Sequence, residues 1–160
     1  MKKLNNKGFS LVELIIVIAI MAILVGIVGT QIIPYLENSR KAKDQQVISS
    51  WNTAAMTAYS NAAAKVNADA TYTITITAKD PCQVAMSAVS GKNPVSDGVT
   101  EMTNYFKELT GIESFNISSM ESKAGKKISQ VVIVISEDGK ITTTTTCSDK
   151  AYTFDVIENK

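Results

Sequence analysis

Histidine is absent from the 160 residues. With it go His-dependent general base catalysis, Ser-His-Asp and Cys-His nucleophile systems, and histidine metal sites. Cysteine occurs only twice, too few for a thiolate cluster of three or four ligands. Excess charge is lacking as well. Sixteen Lys plus Arg stand against 15 Asp plus Glu, a net +1 that gives no reason to expect a broad nucleic-acid surface. No fixed-period repeat appears, and no nucleophile, base and orienter can be assembled from this residue set. The expectation is a protein that is not an enzyme and needs no cofactor or metal. At 17.2 kDa the chain is long enough for one domain.

What is present is unevenly spread. Hydrophobic residues make up 45% overall, yet Leu14 to Ile33 run for twenty residues without a charge, while the rest is polar and rich in Thr, Ser, Asn and Lys. Twenty helical residues reach about 30 Å, the thickness of a bilayer hydrocarbon core. A secretory signal has an apolar stretch of only ~7–15 residues and ends in a small-x-small cleavage site. This run is too long, and no such site follows it. Lys2, Lys3 and Lys7 precede the run and favour a cytoplasmic N-terminus, while Arg40, Lys41 and Lys43 follow it.

Beyond Pro34 the helical pattern continues. Val47, Trp51, Ala55, Ala58, Ala62 and Val66 recur at spacings of three and four, one light face of a helix against which something packs closely, with Arg40, Asp44, Asn52 and Asn61 among the polar residues elsewhere. If Pro34 only kinks it, Phe9 to about Val66 forms one helix of roughly 85 Å. The alternative is two helices broken at Pro34. Thr71–Ala78 alternates as a half-buried strand with Tyr72, Ile74 and Ile76 on one face. Residues 81–89 open like a short helix, with Asp80 as N-cap and Pro81 at the first helical position, and residues 90–98 look like loop. Val99, Met102, Phe106 and Leu109 give a helix stripe, capped by Ser96 or Asp97 and ended by Gly111. The runs 128–135, 140–147 and 152–157 predict a three-stranded antiparallel meander, with turns at Asp138-Gly139 and Ser148-Asp149. Val132, Val134, Phe154 and Val156 are the residues expected to face the long helix.

The string Lys7-Gly8-Phe9-Ser10-Leu11-Val12-Glu13 stands immediately before the apolar run. Glycine before Phe9 lets an enzyme approach the peptide bond closely. The lysines hold the leader at the cytoplasmic membrane face. Glu13 is an acid in a span where one costs about 2.5–3.5 kcal/mol near the centre and less near the interface. Cleavage after Gly8 would create an α-amine on Phe9, four residues before Glu13, able to neutralise that carboxylate in the same chain or in a bundled neighbour. The plain alternative is that Glu13 sits among headgroups and favours the helix dipole.

At these residues the sequence resembles the type IV pilin family, including the pseudopilins of type II secretion and competence systems. The resemblance covers Lys7 to about Ile33, with a looser match in the order of long helix and antiparallel sheet. It implies an α+β fold, a long N-terminal helix packed on a small sheet head. The implied divisions are leader 1–8, membrane or filament-core helix 9–34, amphipathic half 35–66 and head 67–160. It further implies cleavage between Gly8 and Phe9 and methylation of the Phe9 amine by a prepilin peptidase and methyltransferase. Glu13 would pair with the N-terminus of an adjacent copy. A cytoplasmic ATPase and a membrane platform would then lift the subunit from the cytoplasmic membrane into an extracellular pilus. The alternatives are a minor pilin or pseudopilin with a partner-binding head, or a plain single-pass anchored binding domain. Where many members carry glycine and proline, this chain has Ala22 and Thr30, so any local melting of the helix would shift toward Gly26–Pro34.

Cys82 and Cys147 both lie on the side that the family exports. They read as a disulfide closing 64 intervening residues, worth roughly 4 kcal/mol in the chain-entropy model. Two buried thiols are the alternative. Lys123, Lys126 and Lys127 read as a solvated loop rather than a DNA-contacting tip. The turn Glu137-Asp138-Gly139 lacks the spaced oxygen ligands of a calcium loop.

Overall fold

A computed structural model describes residues 9–159. The expected leader, Gly8 included, lies outside the described residues. Two compact units emerge, Met1–Asn38 and Ser39–Lys160.

The first unit is helix α1, Leu11–Ile27, followed by one π-helical turn, Val28–Ile32, and the start of α2, Ile33–Asn61. No residue of α1 is buried, so its apolar side chains are solvated all round, a surface suited to lipid or to other helices rather than to a core of its own. The π turn has a local cause. Pro34 lacks the N–H that the Thr30 carbonyl would receive, and its ring crowds that same carbonyl. Widening the preceding turn absorbs both problems and keeps the backbone helical. The Thr30 hydroxyl donates back to the Gly26 and Ile27 carbonyls, each at 3.3 Å. Pro34 thus leaves one irregular turn and no break, and helix runs on to Asn61, short of the expected Val66.

The second unit is the head. Six strands form one antiparallel sheet in the order β3-β2-β1-β4-β5-β6: β1 Thr71–Thr77, β2 Gln83–Ser90, β3 Asn93–Val95, β4 Ile128–Ile135, β5 Ile141–Cys147 and β6 Ile157–Glu158. Helix α3, Val99–Thr110, links β3 back to β4. Cross-strand rows set the faces. Ile74 lies opposite Met86 and Ile133, and Ile133 opposite Thr143. That row and its neighbours through Tyr72–Ile135–Ile141 face the core.

The buried stripe of α2 is Ile48, Trp51, Ala55, Ala58 and, just past its end, Ala62. The alanines let the helix approach the sheet closely, so that Tyr59 and Tyr72 meet edge to face at 5.8 Å. Trp51 meets Phe115 in the same way at 5.4 Å. The Tyr72 hydroxyl accepts from the Asn67 N–H and donates to the Asp97 carbonyl, tying the loop before β1 to the loop before α3.

Several expectations are corrected. Residues 83–90 are strand, not helix: Val84, Met86 and Ala88 pair with Ile76, Ile74 and Tyr72, and the alternation needed for the sheet face outweighs the capping pattern. Asp80 accepts instead from the Ser118 N–H. The expected loop contains β3. Helix α3 starts after Gly98, whose backbone carbonyl takes the Met102 N–H, so neither Ser96 nor Asp97 is its N-cap. Of the last run only Ile157 pairs, followed by Glu158 just beyond it, and the meander is the outer part of a larger sheet. Val132 and Val134 lie on the outer face, one residue out of phase with buried Val131, Ile133 and Ile135. Val156 is exposed, while Phe154 does turn inward beneath Lys41.

Candidate functional site at the helix N-terminus

Ser10 and Glu13 make a capping box at the start of α1, in which the Ser10 N–H donates to Glu13 Oε2 at 2.9 Å. The reason is intrinsic to helices. The first backbone N–H groups have no carbonyl one turn back, and an acid at the third helical position reaches one of them while favouring the dipole. Glu13 is the acid of that first turn, and no acid or base follows it within α1. Phe9 precedes the helix, in no regular structure and 89% exposed. The arrangement presents an accessible residue 9, then a carboxylate held at the head of an uncharged helix that is long and apolar enough to cross a membrane. The Gly8–Phe9 bond itself reaches outside the described residues.

The cysteines stand apart from this site and from each other. Cys82 enters β2 and Cys147 ends β5, with β1 and β4 between them in the sheet. Three interstrand spacings amount to about 14 Å, whereas a disulfide needs Cα atoms within ~7 Å. The expected bond is therefore absent and both are free thiols. Burial pushes each thiol above the ordinary value of 9.0, Cys82 with a further push from Asp80, which keeps them protonated and unreactive. Lys126 and Lys127 are exposed on a 3₁₀ turn. The Asp138 carboxylate accepts the Lys140 N–H and so closes its own turn.

One cluster escaped the sequence reading. Asp44, expected among the polar residues away from the apolar face, is 2% exposed. Its carboxylate accepts from the Glu121 N–H at 2.9 Å, the Ser122 N–H at 2.8 Å and the Ser122 hydroxyl. Gly125 lies so close that a Cβ there would fall 2.2 Å from Asp44 Oδ2. Two turns further along α2, buried Asn52 donates to the Thr143 hydroxyl at 2.8 Å. The available clue is phase: Asp44 stands four residues before Ile48, on the stripe that continues through Trp51, Ala55 and Ala58.

A family model described as the prokaryotic N-terminal methylation motif matches residues 3–29. No curated protein and no solved structure matches the chain. The matched segment spans most of the basic leader, the Phe9–Glu13 arrangement and nearly all of the apolar helix, and on that basis the chain carries the N-terminal methylation motif of a type IV prepilin.

Proposed function

We propose that the chain is a structural subunit of a type IV pilus, stored in the cytoplasmic membrane by its apolar helix and polymerised through it. The observation that carries the reading is the capped Glu13 heading an entirely unburied apolar helix inside the methylation motif. Solvated all round, α1 needs lipid before assembly and the helices of other copies after it. A prepilin peptidase cuts between Gly8 and Phe9, the Phe9 amine is methylated, and the new cation meets Glu13 of an adjacent copy. The capping box gives this pairing a physical basis: the bond from Ser10 already fixes the carboxylate near the chain's new end. The ATPase and platform of the assembly machinery supply the work of extraction. The role is mechanical, with no reaction catalysed.

Intact mass measurement of the native protein tests processing. A chain beginning at methylated Phe9 supports the reading, and one retaining Met1 makes it a plain anchored domain. Glu13→Ala tests assembly: the processed subunit should accumulate in the membrane while surface filaments are lost, and normal filaments would refute the role given to Glu13. A major subunit dominates a sheared surface fraction, whereas a minor pilin or pseudopilin is scarce there.

A further inference from the structure

Strand β4 carries opposite charges at its two ends. Lys126 and Lys127 stand immediately before it, Glu137 and Asp138 just past its end. All four are exposed, and among the described residues none of the four makes an ion pair. Neighbouring charges do not cancel them. Near the lysines, Glu121 is held by Lys43 at 3.0 Å, and Asp149 is followed directly by Lys150. Near the acids, Lys140 is held by Glu158 at 3.0 Å. Eight residues of strand separate the doublets by about 26 Å, three times the ~8 Å screening length at physiological salt. The two doublets therefore cannot neutralise one another within one head.

Shape agrees with charge. The lysines project from a tight 3₁₀ turn anchored to α2, because the Asp44 carboxylate holds Glu121 and Ser122, and Ser122 in turn receives the Gly125 N–H. At the other end an open cleft of about 430 Å³, lined by Met56, Asp138, Gly139, Lys140, Glu158 and Asn159, lies beside the acids. A projecting basic turn and an open cleft edged by exposed, unpaired acids on one molecule are mutually complementary but not self-complementary at either end, which is the geometry of head-to-tail contact.

We propose that the Lys126–Lys127 turn of one copy docks at the cleft beside Glu137 and Asp138 of the next, so that β4 sets the polarity of the contacts between successive heads in the filament. This rests on the filament reading above. Each contact is exposed and weak by itself; repetition along a polymer makes it count.

The test is reciprocal charge reversal in the full-length chain, read as surface filament yield. Lys126→Glu with Lys127→Glu makes one variant. Glu137→Lys with Asp138→Asn makes the other, the asparagine keeping the oxygen that accepts the Lys140 N–H. Each should cut filament yield at least tenfold while processed subunit still accumulates in the membrane, and the fourfold variant should restore it. Unchanged yield in either pair, or no restoration, overturns the proposal. Loss only on the lysine side also overturns it, and assigns that turn to anionic lipid headgroups. If the unaltered chain is processed but forms no filament, the filament reading itself fails, an outcome separate from any of these.

Discussion

At the scale of single residues, the head depends on polar groups that the apolar pattern hides. Asp44→Ala leaves the Ser122 N–H and hydroxyl without their acceptor in a buried site, and the Glu121 N–H in a half-buried one. Each buried orphan costs about 1–3 kcal/mol, so a loss of about 3 kcal/mol or more is expected in urea denaturation of the detergent-solubilised chain. Gly125→Ala should be comparably damaging, since its Cβ would meet Asp44 Oδ2 and the Met120 Cβ at 2.7 Å, and backbone on both sides is already hydrogen-bonded. The thiols give a pH signature. Both are raised by burial, so between 9.0 and their folded values the unfolded chain has released protons that the folded chain retains. Stability is thus full below pH 9 and falls as pH rises through that window. Cys82→Ala with Cys147→Ala should flatten the fall above pH 9. Lys65, raised first by its hydrogen bond and then by the charge of Glu101, adds a similar loss only above 10.5. Thiol alkylation of the unreduced, unfolded chain should add two labels; an unlabelled chain would restore the disulfide.

At the scale of elements, legibility follows how each segment is buried. The strand Thr71–Thr77 was readable because one face is apolar and the other threonine, so period two survives in the letters. The stripe of α2 was readable in the same way, apart from Asp44 and Asn52, whose burial depends on partners more than seventy residues away. Residues 83–90 were not, because Asp80-Pro81 carries a genuine helix-start pattern and only the unfilled edge of β1 decides against it. Strand β5 shows the opposite problem. Thr142–Thr146 looks alike on both faces, and a sheet slipped by one residue would exchange them at little hydrophobic cost. Asn52 breaks that degeneracy by selecting the Thr143 hydroxyl, with Ile141 buried at one end. Asn52→Ala should therefore do more than remove one bond worth about 1 kcal/mol. Faster amide exchange confined to β5 and β6 is expected, and uniform acceleration over the sheet would argue against a register role.

At the scale of the molecule, the composition averages two materials. The apolar helix was plain from the letters because lipid-soluble segments announce themselves by length alone. The methylation motif was plain too, being local in sequence. The charge arrangement across the head was not, since Lys127 and Glu137 stand only ten positions apart and no pattern of letters says that an extended strand separates them. Removing residues 1–8 would take away three lysines and leave 13 Lys plus Arg against 15 Asp plus Glu. The processed subunit is then slightly acidic. A polymer bound by its helices alone should tolerate salt; one steered by head charges should assemble less readily as salt rises. Filament yield from Lys126→Glu with Lys127→Glu, which sets like charges against Glu137 and Asp138, should accordingly start low and rise with salt rather than fall.

The sheet has one further property. The buried side chains of the sheet lie on a single face, so Thr73, Thr75, Val132, Val134, Thr142 and Thr144 line the other, half-buried apart from exposed Thr144 and outside the core cluster. Substitutions there touch no core contact and typically change stability by no more than ~0.5 kcal/mol. Such a face is free to diverge. Descendants of this chain can alter what their surface presents to the outside, residue by residue, without re-solving how the head folds.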